Sequence, residues 1–285
     1  QYGNNELIWT AYQDGCSDED TIVIENRLVE ANAGVNQTVC ADSVVLNAND
    51  AGSGTWTRVL GSNNIVTPSA YNSVVRDLDQ GKNEYRWTLS KDGCTSDDEV
   101  VIHSDLPDAA VAMGDETVCS SSITLSATEP LRGEGYWENI GVTGATFTDS
   151  SNPNTTVSNL DPNTVNTFAW VTDYQGCKLR DTVRIRYYNV TADAGSNKIV
   201  CEADDAQLNA VQPPVGEGTW SGPSGVTFDD VNKYNTLAGN LKADANTLSW
   251  TVEEDKCSAS DQVVLTNNAF TIDAGPDQTV CADQA

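Results

Sequence analysis

The stretch "NAGVNQTVCADSVVLNA" (Asn32–Ala48) returns almost word for word as "DAGPDQTVCADQA" (Asp273–Ala285). Repetition at that distance calls for a search for a period before any count of domains. The cysteines supply it. Cys40, Cys119, Cys201 and Cys281 follow the related words "QTVC", "ETVC", "KIVC" and "QTVC", at intervals of 79, 82 and 80 residues. Cys16, Cys94, Cys177 and Cys257 form a second series at intervals of 78, 83 and 80. Tryptophans keep the same beat. Trp56, Trp137 and Trp220 close "GSGTW", "GEGYW" and "GEGTW". Trp9, Trp87, Trp170 and Trp250 each stand four residues after an asparagine, in "NELIW", "NEYRW", "NTFAW" and "NTLSW". An Asp follows each second-series cysteine by four residues: Asp20, Asp98, Asp181 and Asp261.

These anchors divide the chain into tandem modules of about 80 residues. Residues 1–29 carry the last two strands of one module. Residues 30–108, 109–190 and 191–270 are complete modules, and residues 271–285 are the first strand of another. The expectation is a segment cut from a longer array.

Within a module, short alternating apolar runs are separated by turn clusters, which predicts an all-β immunoglobulin-like sandwich. In the first complete module the strands fall near "QTVC" (A), "VVLNA" (B), "GTWTR" (C), "IVTP" (D), "NSVVRDL" (E), "NEYRWTLS" (F) and "DEVVIHS" (G). No stretch sustains helical periodicity. Trp56, Trp87, Trp137, Trp170, Trp220 and Trp250 are predicted core residues, because a buried indole pair is bulky enough to anchor a small sandwich.

Charge excludes several partners. With 15 Lys+Arg against 42 Asp+Glu, the net charge of −27 repels nucleic acid and anionic membrane surfaces alike. No apolar run reaches membrane-spanning length, so no membrane insertion is expected. An enzyme is not expected either. The one histidine, His103, has no counterpart in the other modules, and lysines fall at non-equivalent positions. No cofactor is implied. Calcium at the acidic clusters "CSDED" and "CTSDDE" is a weak candidate, with Asp18, Asp20, Asp97 and Asp98 as the ligands. The corresponding words "CKLRD" and "CSASD" keep only the last Asp, and that Asp better suits a bond to turn backbone at the start of strand G.

Eight cysteines on a fixed lattice, with one histidine and no C-x-x-C, read as disulfides of an oxidising compartment. Three pairings are open. Bonds within modules would join Cys40–Cys94, Cys119–Cys177 and Cys201–Cys257. Cys40 follows strand A and Cys94 precedes strand G, at opposite poles of a sandwich, and a strand of seven or eight residues spans roughly 25 Å. A disulfide needs Cα atoms within about 7 Å. Local bonds would join Cys16–Cys40, Cys94–Cys119, Cys177–Cys201 and Cys257–Cys281, and would need strand G to fold back into the next strand A. The favoured pairing staples consecutive modules, Cys40–Cys177 and Cys119–Cys257, leaving Cys94 and Cys201 for outer modules.

The phrases "ADAGSNKIVCEADDAQLNA", "GEGTWSGPSGVTF" and "DKCSASDQVVLT" resemble PKD-like, immunoglobulin-fold repeats of very large secreted Bacteroidota proteins, including the SprB-type gliding-motility adhesins. The second module departs from the pattern, with "VAMGDETVCSSS" in place of the Ala-Gly turn. The resemblance implies an extracellular, cell-surface filament, exported by the type IX system. Its partners would be neighbouring modules, the gliding and secretion machinery, and a surface or glycan ligand bound by a distal region. It also implies Asp-Ser/Thr O-glycosylation, for which Thr21, Ser43 and Thr182 match the short motif. The expected function is that of a structural stalk in attachment and gliding. The rivals are a carbohydrate-binding array of a secreted enzyme and a calcium-rigidified adhesin stalk.

Overall fold

The computed structural model describes residues 3–62, 64–141, 144–201, 205–270 and 272–279, and every regular element among them is a β-strand. An antiparallel hairpin comes first, β1 (Gly3–Gln13) with β2 (Cys16–Asn26). Then follow β3 (Gln37–Val39), β4 (Val44–Val45), β5 (Ser53–Leu60), β6 (Asn64–Ile65), β7 (Val74–Arg76), β8 (Gly81–Lys91) and β9 (Cys94–Ser104). These seven make two sheets, ordered β3-β9-β8-β5 and β4-β7-β6. In A-to-G terms, one sheet is A-G-F-C and the other is B-E-D.

The same pattern returns twice. The second set is β10 (Glu116–Val118), β11 (Ser122–Thr124), β12 (Glu134–Asn139), β13 (Thr146–Phe147), β14 (Thr156–Ser158), β15 (Thr164–Tyr174) and β16 (Cys177–Tyr187). The third is β17 (Lys198–Val200), β18 (Asp205–Gln207), β19 (Glu217–Ser221), β20 (Thr227–Phe228), β21 (Leu237–Gly239), β22 (Asp244–Glu254) and β23 (Cys257–Asn267). Their sheets are ordered β10-β16-β15-β12 with β11-β14-β13, and β17-β23-β22-β19 with β18-β21-β20. Residues 272–279 carry no strand, although a first strand was expected there; Val280 to Ala285, with Cys281, lie outside the described residues.

The long F–G hairpins explain why these residues choose strands. Along β8, Asn83, Tyr85, Trp87 and Leu89 are buried while Lys82 and Arg86 face solvent, the two-residue period of a half-buried strand. Asp92 and Gly93 join β8 to β9 with φ of 50° and 84°, the paired positive values that suit a right-twisted two-residue hairpin. Trp56 of β5 lies opposite Trp87 of β8, with ring centroids 5.1 Å apart. Trp220 and Trp250 repeat the arrangement at 5.1 Å, and Trp137 meets Trp170 at 5.3 Å. All six are at most 2% exposed. Gly54 makes room for this pair, because a Cβ there would stand 1.8 Å from Trp87 Cζ2.

The hairpin β1–β2 presents a contrast. Trp9, at the position of Trp87 in the repeat, is 74% exposed, and Leu7, Ile8 and Ile22 are exposed with it. Its two strands form a sheet of their own, with no facing B-E-D sheet among the described residues.

The chain divides into two compact units. One holds Gln1–Val111 with Glu129–Tyr136 and Val171–Arg180, and so includes the F–G tip of the second sandwich. The other holds Ala112–Thr128, Trp137–Trp170 and Asp181–Ala285.

Candidate functional site

Cys40 directly follows β3, and the backbone around it is fixed by local bonds. The Asp105 N–H donates to Val39 O at 2.9 Å, the Leu78 N–H to Asp42 O at 2.8 Å, and Ser104 Oγ to Ala41 O at 3.1 Å. Cys177 opens β16, after a turn in which Gln175 and Gly176 have φ of 53° and 86°. These two cysteines are bonded, with Cα atoms 5.3 Å apart and a sequence separation of 137. In the other unit Cys119, directly after β10, is bonded to Cys257, the first residue of β23, with Cα atoms 5.4 Å apart. Both bonds therefore join the end of one repeat's strand A to the start of the following repeat's strand G.

The first bond sits in a polar joint. Asp108, from the "DLPD" segment that leaves the first sandwich, accepts the N–H groups of Leu131 and Arg132 through Oδ2, at 2.8 and 3.0 Å. Its carbonyl accepts Thr172 Oγ1 at 2.7 Å, and Gln80 Nε2 donates to its Oδ1 at 3.2 Å. Arg132 lies 4.1 Å from the centroid of the Tyr174 ring, a favourable cation–π separation. Lys178, next to Cys177, donates to Tyr136 Oη at 2.8 Å and pairs with Asp173 at 3.2 Å. Those two contacts raise the Lys178 pKa, the Tyr136 bond contributing most. In the second unit Lys256, next to Cys257, pairs with Glu116 at 3.3 Å.

Cys177 and Cys257 are buried, whereas Cys16, Cys94 and Cys201 are free thiols and exposed. Thr21 and Thr182 are exposed and Ser43 is half-buried.

The three complete sandwiches have an immunoglobulin-like topology, with strand A transferred to the G-F-C sheet. The chain is a tandem array of immunoglobulin-like sandwiches. Solved structures similar to it include the titin I-band fragment I67-I69, at 10% identity and a TM-score of 0.38, covering 82% of this chain and 96% of that one. Sidekick-1 immunoglobulin domains 1-4 give 12% identity and a TM-score of 0.34, covering 93% and 95%. The extracellular domains 3-5 of Drosophila OTK give 10% and 0.32, covering 84% and 97%. No protein-family model matches the chain, and no curated protein matches it.

The acidic candidates of the array have other occupations. Asp98 accepts the Ala33 N–H at 2.8 Å, 65 residues away, and the equivalent Asp181 and Asp261 accept Ala112 and Ala194 N–H at 2.9 and 2.8 Å. The local bond expected at the start of strand G is made as well, by Asp181 with the Thr182 N–H at 2.9 Å and by Asp261 with the Gln262 N–H; the further bond to the segment entering strand A, which runs beside strand G, was not expected. Asp97 lies 3.7 Å from Arg86, and Asp20 accepts its neighbour Thr21's N–H at 2.9 Å. Asp18 accepts the Glu19 N–H at 3.1 Å. Among the described residues no group of three or more His, Cys, Asp or Glu is gathered as metal ligands. His103 Nδ1 lies 3.0 Å from Asp105 Oδ1 on a half-open surface.

Two recurrent roles were missed by the sequence reading. The asparagines four residues before Trp87, Trp170 and Trp250 are buried and clamp the E–F corner. Asn83 Oδ1 accepts the Asp79 N–H at 3.1 Å while its Nδ2 donates to Asp79 O at 2.8 Å, and Asn166 and Asn246 make the same reciprocal pair with Asp161 and Lys242. Four residues before each A-strand cysteine, Asn36, Asp115 and Asn197 accept the N–H of Val101, Arg184 and Val264 at 2.8 Å. Their fixed spacing was the available signal.

Proposed function

We propose that the chain is a structural stalk segment of a long extracellular adhesin, in which consecutive sandwiches are stapled covalently. The observation that carries this reading is the bond from Cys40 to Cys177, one repeat to the next, repeated by Cys119 and Cys257. Independent beads do not need such bonds, whereas a stalk that transmits force benefits from joints that cannot hinge freely. Disulfides persist in oxidising compartments, which suits a protein outside the cell. The acidic surface keeps a long array soluble and discourages pairing of exposed strand edges.

In this reading the modules are residues 30–108, 109–190 and 191–270, preceded by the F–G hairpin of another module. Exposed Cys94 and Cys201 occupy the lattice positions that bond to modules on either side. The work is mechanical and adhesive, not catalytic: the stalk holds a distal binding region away from the cell surface. The resemblance to SprB-type repeats extends the proposal to gliding motility and type IX export, with O-glycans at Thr21, Ser43 and Thr182.

Immunogold labelling of the producing cells with an antibody against this chain tests the reading. Labelled filaments projecting from the surface are expected. Label confined to released material that binds polysaccharide would replace the stalk with a carbohydrate-binding array.

A further inference from the structure

Resting on the stapled-stalk reading, we infer that the two bonds convert the G strand–linker–A strand segments into a covalent load path two strands thick, with strands B to F carried outside it. The observation is one of connectivity. The segment 94–119 begins at Cys94, which opens β9, and ends at Cys119, directly after β10. The segment 177–201 likewise begins with β16 and ends just after β17. Each bond joins the closing cysteine of one such segment to the opening cysteine of another, Cys119 to Cys257 and Cys40 to Cys177. Tension can therefore pass from segment to segment through sulfur without entering strands B to F.

The two plies lie side by side. In the second sandwich β10 belongs to one ply and β16 to the other, and they pair in parallel with Glu116 opposite Ile185. The first and third sandwiches repeat this, Gln37 opposite Ile102 and Lys198 opposite Leu265. Parallel pairing makes both plies run the same way through each sandwich. The bonds of Asp181 to Ala112 and of Asp115 to Arg184 stitch one ply to the other. A short strand A pairing in parallel with G, which contributes little to a sandwich by itself, becomes the element that carries load. The Trp-centred cores then hold their shape under a tension that does not pull on them.

The experiment is single-molecule stretching of the full chain with handles at Ser17 and Asp205, free thiols alkylated, before and after reduction. With the bonds intact the path holds about 50 residues and cannot exceed roughly 170 Å at about 3.4 Å per residue. Because its strands are already extended, the gain from first tension to that ceiling is expected to be under about a third of it. After reduction the same handles should separate in steps to roughly 640 Å. A ceiling near 260 or 400 Å, the lengths for bonds within modules or local bonds, would overturn the staple reading and the load path together. A ceiling near 170 Å reached only after the length more than doubles would leave the staples standing and overturn the load path alone.

Discussion

Cys119 and Cys257 are 138 residues apart in the chain and 5.4 Å apart between their Cα atoms. One ends a strand A and the other begins the strand G of the following repeat. A bond that encloses so long a loop restricts the unfolded chain strongly. A typical contribution is about 2–4 kcal/mol. The double substitution Cys119→Ser with Cys257→Ser is expected to destabilise the chain by that order. Calorimetry of the variant against the oxidised parent, both with remaining free thiols blocked, reads the difference.

The tryptophan pairs make the tightest demand on backbone shape. An alanine at Gly54 or Gly218 would place Cβ 1.8 or 1.9 Å from the indole of Trp87 or Trp250. Gly54→Ala should therefore force the pair apart and cost about 1–3 kcal/mol or more, as overpacked cores do. Near-ultraviolet circular dichroism, which senses indole packing, should change together with the unfolding midpoint.

Each E–F corner depends on one asparagine. Removing Asn246 leaves the Lys242 N–H and carbonyl without their side-chain partner. Asn246→Ala is expected to destabilise the third sandwich by about 1–3 kcal/mol, the usual range for stranded polar groups. Hydrogen exchange at the Lys242 amide should accelerate more than exchange along β19, on the far side of β22.

Acid should loosen the entry to strand A. The N–H groups of Ala194 and Gln262 hold the Asp261 carboxyl below its ordinary value of 3.8. A carboxylate lowered in the folded state contributes its stabilisation fully above the ordinary pKa and loses it as pH falls through the lowered one. Protection of the Ala194 amide is therefore expected to persist at pH 5 and fade below about 3.8. Asp261→Asn, which titrates nowhere in that range, should abolish the dependence. Exchange measured on both proteins across the range checks it.

Much of the fold was legible because it depends on local alternation and on period. Burial of Tyr85, Trp87 and Leu89 on one face of β8 is written in "NEYRWTLS". The recurrence of "QTVC" and its variants marked each strand A. The parallel pairing of β3 with β9 was not legible, because three residues carry too little pattern to name a partner. The destination of Asp98 was missed for a related reason. Its spacing from Cys94 suggested a turn bond, but its partner Ala33 is brought near only when the incoming segment runs beside β9. The clamp of Asn83 was visible as a spacing and silent as a role, since reciprocal bonding to Asp79 depends on how the E–F corner folds.

The most direct test of the account is disulfide mapping by mass spectrometry of the unreduced protein taken from its native surface. Linked peptides joining Cys40 to Cys177 and Cys119 to Cys257 are expected, with Cys94 and Cys201 joined to cysteines of other modules. Peptides joining Cys40 to Cys94, or Cys94 to Cys119, would contradict it and remove the covalent staple between consecutive sandwiches.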